Sequence, residues 1–184
     1  RLRVDNCSIS VLNVSKGGVQ VESLNGVAHL GEPLPTKASG ARLLLVRHGE
    51  TDWNVATRIQ GSTDIPLNET GRLQATQAAL GLKDEAIDAI YSSHLSRAHD
   101  TAKAIAAHHG LIVHTDHDLQ ERQFGHFEGL SWQEIEQQHA NDARAWRSRD
   151  PHFTPTGGES LLTLRHRIMG VLNVIAAQHI GQQI

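Results

Sequence analysis

The sequence predicts an α/β fold with three layers, a mainly parallel sheet and helices on both of its faces. Three observations carry this expectation. Leu43-Leu44-Leu45-Val46 is an unbroken apolar run, as suits a strand buried on both faces. Short apolar runs at Ile87 to Tyr91 and Leu111 to His114 then alternate with stretches of helical period, the pattern of a parallel sheet with crossover helices. Finally, the first run stops abruptly on Arg47-His48-Gly49, placing a cation and an imidazole at a strand's carboxyl end, where α/β folds gather their ligands.

The elements follow in order. Ser8 to Val14 and Val19 to Leu24 read as a hairpin around Ser15-Lys16-Gly17-Gly18. Gly31 to Gly40 is rich in turn formers and small polar residues and reads as a linker. After the strand at Leu43 to Val46, Arg58 to Asp64 is a loop. Asn68 is an N-cap for a helix to about Leu80, with Leu73, Gln77 and Leu80 on one face. The strand Ile87 to Tyr91 meets Ser92-Ser93, and a helix with a buried stripe of Leu95, Ala98, Ala102 and Ile105 runs to a stop at Gly110. Leu111 to His114 is a third short strand. Trp132 to Trp146 has helical character without strong periodicity. The last helix is marked by Leu161, Leu164, Ile168, Val171 and Ile175 after Gly157-Gly158-Glu159-Ser160.

Composition narrows the function. The 184 residues suit one domain with a sizeable core. Seventeen Lys and Arg against twenty Asp and Glu, with no dense basic tract, give no support to nucleic-acid or anionic-membrane binding. The single Cys7 cannot form an intramolecular disulfide, no apolar run reaches a membrane span, and Arg1 to Asp5 does not read as a secretory leader, so a cytoplasmic protein is expected. Of the thirteen histidines, His108, His109, His114 and His117 straddle a helix end and a strand without acidic or cysteine partners at ligand spacing. They are read as structural. No metal and no cofactor is expected.

The Arg47-His48 pair alone would be an ordinary charged strand end, but it is followed by three further blocks. Arg47-His48-Gly49-Glu50-Thr51-Asp52-Trp53-Asn54, Arg58-Ile59-Gln60-Gly61, Ser92-Ser93-His94-Leu95-Ser96-Arg97-Ala98 and Leu119-Gln120-Glu121-Arg122-Gln123-Phe124-Gly125 occur in this order. Together with the Gly-Gly-Glu-Ser start of the last helix, they closely resemble the histidine phosphatase superfamily, in its phosphoglycerate-mutase-like branch. The resemblance covers nearly all of residues 42 to 184.

It implies a metal-independent phosphomonoester phosphatase of small phosphorylated metabolites. His48 would attack phosphorus and become phosphohistidine, for which the ring must be neutral. Nearby guanidiniums favour that state by penalising the imidazolium. Arg47 and Arg97 would clamp the phosphoryl oxygens, and Glu121 would protonate the leaving alkoxide and then deprotonate water. Thr51, Asn54, Gln60, Gly61 and Arg122 would bind substrate. Plainer alternatives stand beside these: Glu121-Arg122 as an exposed ion pair, Gln60 as a loop amide, and Arg97 as a solvated residue. An arginine near a helix N-terminus opposes the helix dipole, however, which favours a function. Trp53, Trp132 and Trp146 read as packing.

Two departures qualify the resemblance. The family's second catalytic histidine, on a strand after the last helix, has no counterpart up to Ile184. Residues 1–36 instead resemble the family's carboxyl-terminal end, so a circular permutation is expected, joined through a linker at 37–41 to the catalytic part at 42–184, all in one domain. The piece connecting Ile184 to Arg1 in family order would be on the order of twenty to thirty residues, a strand, helix and loop. The second departure concerns substrate. Phe124, Trp132 and Ser148 stand where mutases of this branch carry a tyrosine, a lysine and an arginine that grip a second anionic group. Phosphatase is therefore preferred over a cofactor-dependent phosphoglycerate mutase. A non-catalytic phosphate-binding module is the alternative of another class. The expected partner is a small phosphorylated substrate, with no nucleic acid and no membrane, and a possible homodimer.

Overall fold

The computed structural model describes residues 5–15, 18–26 and 40–184. Residues 16 and 17 of the expected hairpin turn, and residues 31–39 of the expected linker, lie outside them.

Strand β1 (Ile9–Ser15) pairs antiparallel with β2 (Gly18–Gly26) on one side and with β3 (Ala41–Val46) on the other. The hairpin thus belongs to the same sheet as the strand that leads into Arg47-His48. Alternation along these strands divides their side chains between two cores. Ile9, Val11, Leu44 and Val46 pack with α2 (Glu69–Leu82) and α3 (Ser96–His109). Leu12, Val14 and Leu43 pack with Val171 and Ile175 of α6 (Leu161–Gln178). Helices therefore cover both faces, as expected.

The mainly parallel sheet needs correction. The three-stranded sheet β2-β1-β3 is antiparallel throughout, and among the strands of the described residues β4 (Ile90–Ser92) and β5 (Val113–Thr115) form the parallel pair. β1 lies between β2 and β3 and runs opposite to both. The last three residues supply one further parallel link. Arg42 bridges Gln183, Leu44 N–H donates to the Ile184 carbonyl at 2.7 Å, and Asp88 N–H donates to the Gln183 carbonyl at 2.8 Å. Beyond Ile184, an apolar slot of about 260 Å³ separates β3 from β4 and runs to His48. The expectation that β3 is buried on both faces accordingly holds for Ala41 to Leu43, whereas Leu45, beside the slot, is 39% exposed.

Helix α2 corrects another expectation. Asn68 caps it as foreseen, accepting the Gly71 N–H at 2.8 Å, but Leu73 and Leu80 face solvent. Its buried face is Gly71, Ala75, Ala78, Ala79 and Leu82. Small side chains let α2 lie close to α3 and to the loop after β3. A Cβ on Gly71 would collide with the Glu50 carbonyl, and one on Gly49 with the Gly71 carbonyl. The absence of a side chain at Gly49 thus lets helix α2 approach closely.

Trp132 to Trp146 forms two helices, α4 (Trp132–Gln138) and α5 (Ala140–Arg147), which break at His139. They carry Ile135 and Ala143 onto the buried Phe127, with Trp132, Trp146 and Phe124 packed around it. The tryptophans are packing residues there. Phe124 and Trp132 belong to the same cluster.

Candidate active site

Arg47, His48, Arg97 and Glu121 line one cavity of about 690 Å³. Each is positioned differently. Arg47 follows β3 directly, and its N–H donates to the carbonyl of Ser8, the residue before β1, at 3.1 Å. Burial lowers its pKa from the ordinary guanidinium value, opposed by the charges of Glu121, Asp5 and Cys7.

His48 Nδ1 lies 2.6 Å from the Gly49 carbonyl oxygen. A carbonyl can only accept, so this contact assigns the proton to Nδ1 and leaves Nε2 as the nitrogen with a lone pair. Burial pushes the His48 pKa down to about 4; the Gly49 hydrogen bond opposes the shift, and Arg97 and Arg47 add to it. At neutral pH the ring is uncharged.

Arg97 sits in the first turn of α3 and is 1% exposed. Two loop carbonyls accept from its guanidinium, Gly61 at 2.7 Å and Thr63 at 2.9 Å. The helix start gains a carboxylate from the same loop: Asp64 accepts the Ser96 N–H at 2.7 Å and the Ser96 hydroxyl at 2.8 Å. That contact offsets the misfit of a cation near the positive end of a helix. The loop is in turn organised by Glu128, which accepts from the N–H groups of Ser62, Thr63 and Phe124 and from the Ser62 and Thr63 hydroxyls. Burial alone would raise the Glu128 pKa, but these hydrogen bonds, led by Thr63, outweigh it and hold the carboxylate below its usual range.

Glu121 is exposed at the cavity, and its Oε1 accepts the Arg122 N–H at 2.7 Å. Its segment is clamped from both sides. Arg167 of α6 donates to the carbonyls of Asp118 at 2.7 Å and Gln120 at 3.0 Å, and it pairs with Glu159. Arg122 turns away from the cavity, donating to the carbonyls of Glu159 at 2.9 Å and Phe153 at 3.1 Å, with its guanidinium 4.7 Å from the Trp146 ring centroid. These contacts anchor the segment that carries Glu121.

The other expected binding residues are held by contacts within the protein. Thr51 is fully buried and caps the short helix α1 (Asp52–Val55) together with Asn54, and its hydroxyl donates to Gln60 Oε1 at 2.9 Å. Gly61 acts through its carbonyl on Arg97. None of Thr51, Asn54, Gln60, Gly61 and Arg122 is among the lining residues.

Several residues escaped sequence reasoning. The hydroxyl of Thr101 donates to the Arg97 carbonyl at 2.8 Å and accepts the Gly49 N–H at 3.2 Å, tying α3 to the loop after His48. Nothing local in the sequence marks it. Leu164, Arg165, Ile168 and Met169 of α6 line the cavity opposite Leu95 and Leu119. The helical spacing of Leu161, Leu164 and Ile168 did signal a buried face, without saying that its first turns border a cavity rather than the core.

The sequence pattern of the histidine phosphatase superfamily (branch 1) matches residues 43–184. The chain is 44% identical over 147 residues to phosphoglycerate mutase-like protein 4 of Arabidopsis thaliana, across 78% of this chain and 64% of that protein. It is 39% identical over 157 residues to a metal-independent phosphoserine phosphatase of Arabidopsis thaliana, across 83% of this chain and 66% of the relative. Among solved structures, a mycobacterial glucosyl-3-phosphoglycerate phosphatase complexed with VO3 matches with a TM-score of 0.68 at 37% identity, over 76% of this chain and 68% of that one. The chain thus spans somewhat less than two thirds of the length of these two curated relatives.

Proposed function

The chain belongs to the histidine phosphatase superfamily, branch 1, and on that premise we propose that it hydrolyses small phosphomonoesters through a phosphohistidine. The observation that carries this reading is the state of His48, a neutral ring with its proton committed to Gly49, in a cavity shared with Arg47, Arg97 and Glu121.

His48 Nε2 forms a bond to phosphorus as the ester P–O bond breaks, and Glu121 gives its proton to the departing alkoxide. Arg47 and Arg97 offset charge on the non-bridging oxygens. Water then attacks phosphorus, its proton passes to the Glu121 carboxylate, and the P–N bond breaks to release phosphate. His48 and Glu121 return to their starting states. No step calls on a metal, so activity should survive chelation. Thr51, Asn54, Gln60 and Gly61 support the Arg97 loop and the strand end behind this chemistry.

A second phosphate-binding histidine is part of the proposal. A strand laid in the slot beyond Ile184 would run parallel to β3 and β4, making the sheet mainly parallel. About four residues at ~3.3 Å each would carry it from the level of Leu44 to that of His48. Support comes from the pairing of residues 183 and 184 with β3 and from a slot lined by both Ile184 and His48. The circularly permuted order is proposed on the same footing, the pairing of β1 with β3 being its support.

A cytoplasmic location and a homodimer complete the reading. Among the described residues no helix is long and apolar enough to cross a membrane, and the edge strand β2 exposes Val19, Val21 and Leu24.

Acid–base behaviour of the adduct tests the core claim. Incubation with a labelled phosphomonoester and rapid quenching should trap label in an alkali-stable, acid-labile bond, absent in His48→Ala. Glu121→Gln should slow poor leaving groups far more than good ones, since a good leaving group needs little protonation. Label in His48→Ala would remove His48 as nucleophile.

A further inference from the structure

Arg97 meets the cavity from a seat built of backbone. Its Nη2 donates to the Gly61 carbonyl at 2.7 Å and its Nη1 to the Thr63 carbonyl at 2.9 Å. The other side of the same loop lies on Glu128. Ser62 N–H donates to Glu128 Oε1 at 3.0 Å and Thr63 N–H to Oε2 at 2.9 Å, while Phe124 N–H reaches Oε1 at 2.9 Å. Gly61 permits the contact: its φ is +56°, and a Cβ there would stand 2.3 Å from Glu128 Oε1.

One peptide unit joins the two charged groups. The Gly61 carbonyl and the Ser62 N–H belong to the same amide, so Arg97 and Glu128 hold opposite ends of a single dipole. A carboxylate on the N–H polarises that amide and makes its carbonyl a stronger acceptor for the guanidinium. The gain is largest where water is excluded, and Arg97 is 1% exposed. Glu128 is not among the cavity lining and forms no ion pair among the described residues. Its charge still acts on Arg97: burial lowers the Arg97 pKa, and Glu121, Asp64 and Glu128 oppose that shift.

We infer that Glu128 is a positioning residue for phosphoryl transfer, acting on Arg97 through the Gly61–Ser62 amide. It touches no substrate. It fixes where the guanidinium stands and keeps the loop carbonyls turned toward it. The role needs an acid, because both carboxylate oxygens accept backbone N–H groups and a Gln in its place must turn its NH2 against one of them. The inference rests on the phosphatase reading and deepens it by a residue outside the cavity lining.

A double-mutant cycle with inorganic phosphate as the probe tests it. Glu128→Gln should weaken phosphate binding and lower kcat/KM about 10-fold or more, the scale of a charge-assisted hydrogen bond. That loss should vanish when Arg97 is already replaced in Arg97→Gln, since the amide then has no guanidinium to hold. Ser62→Ala removes one hydroxyl bond to Glu128, leaves the amide in place, and should change phosphate affinity little. The Ser62 amide proton gives a readout that a merely structural role would not move. Its NMR signal should shift when phosphate is added to the parent protein and stay fixed in Arg97→Gln. Equal losses with and without Arg97, unchanged phosphate affinity in folded Glu128→Gln, or a Ser62 signal unmoved by bound phosphate overturns the assignment. Where a variant fails to fold or to bind phosphate, the Ser62 signal of the parent protein decides alone. Absence of turnover and of trapped phosphohistidine sinks the phosphatase reading instead, while phosphate binding still judges Glu128.

Discussion

The Thr101 hydroxyl accepts the Gly49 N–H at 3.2 Å while donating to the carbonyl of Arg97 at 2.8 Å. Thr101 is 3% exposed, so water cannot replace it. One hydroxyl therefore couples the backbone that accepts the His48 hydrogen bond to the helix that carries Arg97.

Thr101→Val keeps the shape and removes the hydrogen bonds. An unsatisfied buried N–H costs about 1–3 kcal/mol, so the melting temperature should fall. Phosphoryl transfer should fall more than folding explains, because Gly49 also fixes the His48 tautomer. Thr101→Ser should recover both. Thermal melts beside kcat/KM check this, and a variant with a lower melting temperature but intact kcat/KM would limit Thr101 to folding.

Two glycines offer an internal control. A Cβ on Gly71 would strike the Glu50 carbonyl, whereas a Cβ on Gly170, in the body of α6, meets nothing within 4 Å. Gly71→Ala should destabilise by about 1–3 kcal/mol or more through overpacking. Gly170→Ala should stabilise by roughly 0.5–1 kcal/mol through helix propensity. Denaturant titration of the two variants decides, and similar effects of both would refute the close approach of α2 to the loop after His48.

The depressed pKa of His48 makes two signed predictions. The acid limb of kcat/KM contributed by the nucleophile should lie near pH 4, not near an ordinary histidine value of about 6.5. For stability, the unfolded chain takes up this proton first. His48 therefore weakens the fold progressively as pH falls from about 6.5 to about 4, and its penalty is complete below that. His48→Ala should flatten the decline in that window. Arg97→Gln, which removes a guanidinium, should raise the His48 pKa. Imidazole NMR titration reads the shift directly, and an unshifted value near 6.5 in the parent protein would refute it.

The slot beyond Ile184 predicts a gain of function. A chain extended there by an apolar strand ending in His-Gly should bind phosphate more tightly and turn over faster than the 184 residues, by 10-fold or more if the added histidine meets the phosphoryl group in a charge-assisted hydrogen bond. The same extension ending in Ala-Gly should raise stability, by covering Leu44, Ile90 and the rest of the slot, without that gain. Equal kinetics from the two extensions would remove the second histidine from the proposal.

The sequence by itself determined the order of the chemistry: an apolar strand ending in Arg47-His48, an arginine in the first turn after Ser92-Ser93, and a glutamate before Gly125. It also fixed the Asn68 cap, the Gly110 stop and the pairing segments of β1 and β2. All of these follow from rules that reach only a few residues along the chain: alternation, helical period and capping. Tertiary structure decided what those rules cannot reach. Thr101 meets Gly49 from 52 positions away, and Glu128 meets Ser62 from 66. Neither pairing leaves a periodic trace. Arg122 was legible as a functional arginine and turned out to grip carbonyls, because a charged side chain reveals its partner only in space. The buried face of α2 was misjudged for a related reason. Close helix packing selects the smallest side chains, and Gly71, Ala75 and Ala78 carry too little hydrophobicity to outweigh Leu73 and Leu80 in the sequence pattern.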